Sequence, residues 1–176
     1  MGLVNKIIDQ VIDIEAGYVD HPSDRGGPTK YGITQAVARA DGYTGDMRDL
    51  PRERAVSILY RQYVVAPGFD KAVALNERIG AELVDTGVNM GPGTAGKFLQ
   101  RWLNGFMGSA LVVDGKVGPG TIGVLQSFLA KRGEPGVQAL LRSLNAAQAM
   151  RYLEIVEKDE SQRPFIFGWV NQRVAI

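Results

Sequence analysis

The chain has 176 residues, 20 basic against 19 acidic for a net charge of +1, and no cysteine. That length supports one compact domain with a real apolar core. The charge balance excludes a dominant electrostatic nucleic-acid binder, and the missing cysteines exclude disulfides and thiolate metal sites.

Leu3, Val4, Ile7, Ile8, Val11 and Ile12 recur at three- and four-residue spacing. The spacing predicts an amphipathic helix ending between Glu15 and Gly17. Asp9, Asp13 and Glu15 interrupt any signal-peptide core, and no window approaches the ~18 uncharged apolar residues of a membrane span. From Tyr18 to Ile33 the pattern gives way to Pro22, Gly26, Gly27, Pro28 and Gly32. This reads as loop, with short strands at Tyr18–Val19 and Lys30–Ile33 forming a hairpin. Thr34 suits the N-cap of a short helix closed by Gly42. Pro51 opens another, with Ala55, Ile58, Leu59 and Tyr63 facing inward, until Pro67-Gly68 breaks it.

Asn76 to Met90 reads as helix, with Ile79, Leu83 and Val84 inward. MGPGTAGKFLQRWL from Met90 and VGPGTIGVLQSFL from Val117 then echo each other. Each is a turn feeding a helix, and the segment between them reads as loop with a short strand. Two copies do not make a solenoid. Pro135 starts the longest helix, running to about Lys158. The final RPFIFGWVNQRVAI is too apolar for a free tail, so Phe165, Phe167, Trp169 and Val170 are expected to pack back. Phe98, Trp102, Phe128 and Tyr152 stand at helical spacings and read as core.

Cleaving a glycosidic bond takes a proton donor and a second carboxylate across the sugar, in environments that differ. Glu15 ends an apolar helix beside Ile12 and Ile14, a setting that favours the protonated acid. Asp24 lies nine positions on, in polar PSDRGG, where it would stay ionised. Read alone, Glu15 is also an ordinary helix-end carboxylate and Asp24 an Asx-turn residue. His21, the only histidine, has no metal-spaced partner, so neither a metal nor a cofactor is expected. GPGTAG and GPGTIG match a dinucleotide fingerprint only formally, because no βαβ unit surrounds them. Tyr18 and Tyr31 flank the glycine loop, where a ring could stack on a sugar.

The stretch EAGYVDHPSDRGGPTKYGIT resembles the signature of glycoside hydrolase family 108, which contains phage endolysins and related bacterial muramidases. DTGVNMGPGTAGKFLQ, DGKVGPGTIGVLQ and FGWVNQRV resemble the family's C-terminal peptidoglycan-binding region. The resemblance implies a mainly α, lysozyme-like helical globule with a small β-hairpin or loop at the active site. It implies a lysozyme-like catalytic region over residues 1–90. The helical region over 91–176 would pack with it into one globule. It implies cleavage of the β-1,4 bond between N-acetylmuramic acid and N-acetylglucosamine. Glu15 matches the catalytic glutamate and Asp24 the Pro-x-Asp position. Tyr18, Thr29, Tyr31 and Thr34 would bind substrate, with Thr29 and Thr34 both candidates to position a water. Ala16 and Pro28 depart from the usual pattern without removing a functional side chain.

The partner implied is bacterial peptidoglycan, met by a monomer that binds no nucleic acid and inserts into no membrane. A lysin of this kind would wait in the host cytoplasm for a holin to open the way to the wall. A non-catalytic peptidoglycan-binding module is the alternative. An amidase or peptidase would lack its zinc site or Cys-His pair.

Overall fold

The computed structural model describes residues 2–15, 17–19 and 27–174. The architecture is mainly α and lysozyme-like, with one small antiparallel sheet, as the sequence predicts. The chain divides into two compact units, Met1–Ala66 and Pro67–Ile176.

In the first unit, α1 (Leu3–Ile14) buries Val4, Ile8 and Ile12, the four-residue stripe of an amphipathic helix. It packs on α3 (Arg52–Tyr60), whose Ala55, Ile58 and Leu59 are buried. Arg52 ties the two together outside the core, 2.8 Å from Asp9 and 3.2 Å from Asp13. Such exposed pairs are worth at most ~1 kcal/mol each. The fully buried Ile8, Ile12, Ile33, Met47 and Leu50 carry more, roughly 1.5–3 kcal/mol apiece.

Three two-residue strands follow α1: β1 (Tyr18–Val19), β2 (Thr29–Lys30) and β3 (Ile33–Thr34), ordered β1-β2-β3 and antiparallel. The expected strand over Lys30–Ile33 is therefore two strands and the tight turn that joins them. Lys30 pairs with Ile33, leaving Tyr31 and Gly32 as a two-residue loop. Both have positive φ, 54° and 70°, the geometry of a type I′ hairpin turn. Thr34 caps α2 (Gln35–Ala40), its hydroxyl accepting from Val37 N–H at 3.4 Å.

After α3 the helix widens into a π turn over Arg61–Val65. The extra residue per turn rotates the following side chains. Val64 is buried in place of Tyr63, which stands only half-buried.

The second unit is all helical among its described residues. Its elements are α4 (Phe69–Leu75), α5 (Glu77–Met90), α6 (Pro92–Met107), α7 (Pro119–Lys158) and α8 (Arg163–Arg173). Helix α5 sits at the centre, packed by α4, α6 and α7. Asn76 caps it, accepting from Arg78 N–H and Ile79 N–H, both at 3.1 Å. Helix α6 runs on through Met107, so the first half of the expected loop is helix. No strand occurs among residues 108–118.

The long helix begins at Pro119 and is broken at Gly133 (φ 55°, ψ −146°), two residues before the expected start at Pro135. Val137, Leu140, Leu144, Tyr152 and Val156 are buried, whereas Leu153 is 41% exposed. The tail packs back through one residue above all, Trp169, which stacks on Tyr152 at 5.2 Å. Phe167 points away and is 79% exposed, and Phe165 and Val170 are also exposed. Phe98, Phe128 and Tyr152 are core, and half-buried Trp102 joins them by stacking on Phe106, which stacks on Phe128.

The two GPGT segments nest against each other. Gln100 of the first is buried and donates to Asp114 Oδ1 (2.9 Å), Lys116 O (3.0 Å) and Thr121 Oγ1 (3.3 Å). Gly115 N–H donates back to Gln100 Oε1 at 2.8 Å. One side chain thereby anchors the whole DGKVGPGT turn.

A polar cluster lies in the same unit. Asp85 accepts from Arg173 at 2.8 Å, tying α8 to α5. Thr86 Oγ1 lies 3.4 Å from Glu82 Oε1. Burial, reinforced by the Asp85 charge, pushes Glu82 up to about 7 from its ordinary 4.5. The folded protein thus holds this proton more tightly than the unfolded chain. Stability from this group is full below pH 4.5 and falls as pH rises toward 7, by about 3 kcal/mol in all. The lowered carboxyls, Asp114, Glu134 and Asp159, exert their effect below pH 4.5, outside that window. Urea unfolding between pH 5 and 8 should therefore show a decline in wild type that Glu82→Gln removes. An equal decline in the variant would assign the slope elsewhere.

Candidate active site

The small sheet organises the candidate site. Glu15 is the C-cap residue of α1, its N–H donating to Val11 O at 3.0 Å. Its carboxylate is exposed and makes no hydrogen bond or ion pair among the described residues. The hairpin turn comes up against it: a β-carbon built on Gly32 would lie 3.4 Å from Glu15 Cγ. Gly32 thus meets two demands at once, positive φ and close approach to the acid. The apolar surround expected from Ile12 and Ile14 is not supplied by the helix. Ile12 faces the core, and Ile14 is 69% exposed.

The register divides the other candidates between the two faces of the sheet. Tyr18, Lys30 and buried Ile33 lie opposite one another and share one face; Val19, Thr29 and Thr34 share the other. Thr29 Oγ1 donates to Gly27 O at 3.0 Å, and the Thr34 hydroxyl is engaged at the α2 cap. Both threonines therefore also hold the backbone in place. Asp24 and His21 lie outside the described residues. Among the described residues, no group of three or more His, Cys, Asp or Glu is placed to hold a metal ion.

Tyr31 occupies the turn at positive φ, where a β-carbon costs about 1 kcal/mol and Asn or Gly is the usual choice. Tyr31→Asn is expected to raise the urea midpoint while lowering turnover on peptidoglycan several-fold. A variant both more stable and fully active would show that the ring makes no substrate contact.

Sequence reasoning missed a cleft of about 270 Å³ bordered by Tyr18, Gln35, Arg39, Asp46 and Arg48. Arg39 and Arg48 sit on a short helix and a 3-10 turn, where a lone basic residue reads as solvated surface. The signal is the tyrosines they cover. Arg48 lies over Tyr18 (5.3 Å), Arg39 over Tyr43 (5.9 Å) and Lys30 over Tyr31 (5.2 Å). Arg39 also donates to Tyr43 O (2.6 Å) and Gly45 O (2.9 Å), which fixes the turn that forms one wall.

The body is lysozyme-like, and a glutamate at a helix end stands against a tight hairpin. A family model described as Glycosyl hydrolase 108 matches residues 8–91, and a second, described as Predicted Peptidoglycan domain, matches residues 94–174. Residues 8–91 carry the glycosyl hydrolase 108 match, and the two matches together mark the chain as a peptidoglycan hydrolase. A solved structure, that of Brucella abortus SagA, is similar over 95% of this chain and 87% of its own, with a TM-score of 0.61. At 24% identity the likeness shows the fold. No curated protein is significantly similar to the chain.

Proposed function

We propose that the protein is an N-acetylmuramidase that cleaves the β-1,4 bond between N-acetylmuramic acid and N-acetylglucosamine, with Glu15 as general acid. The observation that carries this reading is the carboxylate of Glu15, unengaged among the described residues and held at a helix end against the Gly32 turn. A carboxyl group tied up in no ion pair is free to give its proton to a leaving oxygen. A sugar bound over it would exclude the water that now reaches it.

Asp24 supplies the second carboxylate, acting directly on the oxocarbenium-like face or through a water it holds. Neighbouring Asp13 and Asp9 are both engaged by Arg52, which leaves them poor candidates for that role. Tyr31, presented at the tip of the turn beside Gly32, contacts the substrate together with one face of the sheet, either that of Tyr18 or that of Thr29 and Thr34. The resemblance of the 15–34 stretch to endolysin signatures supports a lytic role, with release to the wall aided by a holin-type partner. Among the described residues no helix is long and apolar enough to cross a membrane.

The test is identification of new reducing ends on purified peptidoglycan by mass spectrometry. Muramic acid ends are expected. N-acetylglucosamine ends would keep the acid and move the bond, and free peptide stems would mean an amidase. Binding without any product would leave a wall-binding module and end the catalytic reading.

A further inference from the structure

Among the described residues, the charged side chains that line the cleft beside the hairpin are Arg39, Arg48 and one carboxylate, Asp46. Lys30 Nζ donates to the carbonyl of Arg48, and Arg39 donates to the carbonyls of Tyr43 and Gly45. These bonds satisfy donors but cancel no charge. The carboxylate within the cleft wall, Asp46, stands 3.8 Å from Arg48 and spends Oδ1 on the Arg48 N–H at 2.8 Å. Asp41 is engaged by Arg54 and Arg61, and Asp49, next to Arg48 in sequence, is exposed and does not border the cleft. Two arginines, Arg39 and Arg48, thus border the cleft beside one partly committed carboxylate, with Lys30 bonded to the Arg48 backbone.

The three cations are also pre-positioned. Among the described residues each of these cations lies over a different tyrosine, and Arg48 lies over Tyr18, which itself borders the cleft. Such contacts are worth ~0.5–1 kcal/mol each at exposed sites and restrict long side chains that would otherwise wander. A rigid, under-neutralised set of cations next to a glycan-cutting acid suits a substrate that is charged as well as sugar-like. An arginine fork matches a carboxylate in geometry and charge.

We propose that this cleft binds the free carboxylates of the peptide stem carried by the muramic residue, with Arg48 as the principal contact and Arg39 positioning the wall. The proposal rests on the reading that peptidoglycan is cleaved at Glu15, and it makes the enzyme selective for stem-bearing, anionic glycan over a neutral one. Tyr18 couples the two places. It begins the strand three residues after Glu15, and its ring lies beneath Arg48.

The test uses the full chain and peptidoglycan freed of attached anionic polymers, either native or with its carboxylates capped as methylamides. Wild type is expected to show a KM about tenfold higher on the capped material, with kcat little changed and the difference shrinking in 0.5 M salt as charges are screened. Arg48→Gln should raise KM on native material about tenfold and no longer distinguish the two, and Arg48→Lys should keep most of the preference. The Arg48 side chain is 67% exposed, so these variants should fold. Equal KM on both materials for wild type, or full preference in Arg48→Gln, would overturn the proposal while leaving the muramidase reading intact. Hydrolysis of neither material would sink both.

Discussion

Glu15→Gln is expected to leave a folded protein that cleaves peptidoglycan at least ~10³-fold more slowly, because general acid catalysis supplies roughly that factor. The substitution keeps the shape of the side chain and removes the proton. The Glu15 carboxylate is exposed and unpaired among the described residues, so folding does not depend on it. Unfolding free energy should stay within ~0.5 kcal/mol of wild type. The contrast with Asp13→Asn sharpens the result. Asp13 stands two residues away at the same helix end, but its charge is spent on Arg52 at 3.2 Å. That variant should lose a few tenths of a kcal/mol and keep its turnover. Full activity in Glu15→Gln, read as reducing ends per minute, would remove Glu15 from the chemistry.

A large stability effect is expected at Gly96. A β-carbon there would lie 2.2 Å from the carbonyl oxygen of Gly115 and 2.7 Å from its carbon. Both are backbone atoms of the turn that Gln100 anchors, and neither can swing aside. Gly96→Ala should therefore cost about 3 kcal/mol as α6 and the turn are forced apart. The matching residue of the second GPGT segment is Gly123, around which a β-carbon would meet nothing within 4 Å. Gly123→Ala, inside a helix and unobstructed, should stabilise by up to ~1 kcal/mol. Urea midpoints for the pair would decide the matter. Equal shifts of the same sign would mean that the echo is a likeness of sequence without a difference in packing.

That pair shows what the sequence could and could not convey. The echo was visible as letters, but which glycine is pressed against backbone depends on a turn twenty residues away. Helix α1 was legible because Val4, Ile8 and Ile12 alternate with charge over three turns. The cap at Thr34 was legible because it acts on a neighbour three positions on, whereas Asn76, read as the first helical residue, caps α5 from just outside it. Helix α4 was not, since seven residues that bury only Phe69 and Ala72 are too few to show a period. The π turn was invisible for a different reason: it changes the count of residues per turn without changing their type, and so moved the inward position from Tyr63 to Val64. At the site, Glu15 could be placed because it ends a periodic segment. The split of Tyr18 from Thr29 and Thr34 across the sheet could not be foreseen while Lys30–Ile33 read as one strand. Nor could Arg39 and Arg48 be matched to Tyr43 and Tyr18 before the chain was folded.

The border between the two family matches falls at residues 91–94, yet the chain's compact units part at Ala66 and Pro67. Helix α5 belongs to the first match by sequence, and by packing it is the hub of the second unit. Anyone exchanging C-terminal modules between peptidoglycan hydrolases of this kind at the sequence border would carry α5 away from α6 and α7. Ile79, Leu83 and Val84 would then face water in one product, and a helix-sized gap would open in the other. Such hybrids should aggregate, whereas a splice at the loop around Pro67 would keep each hydrophobic layer with its own lining.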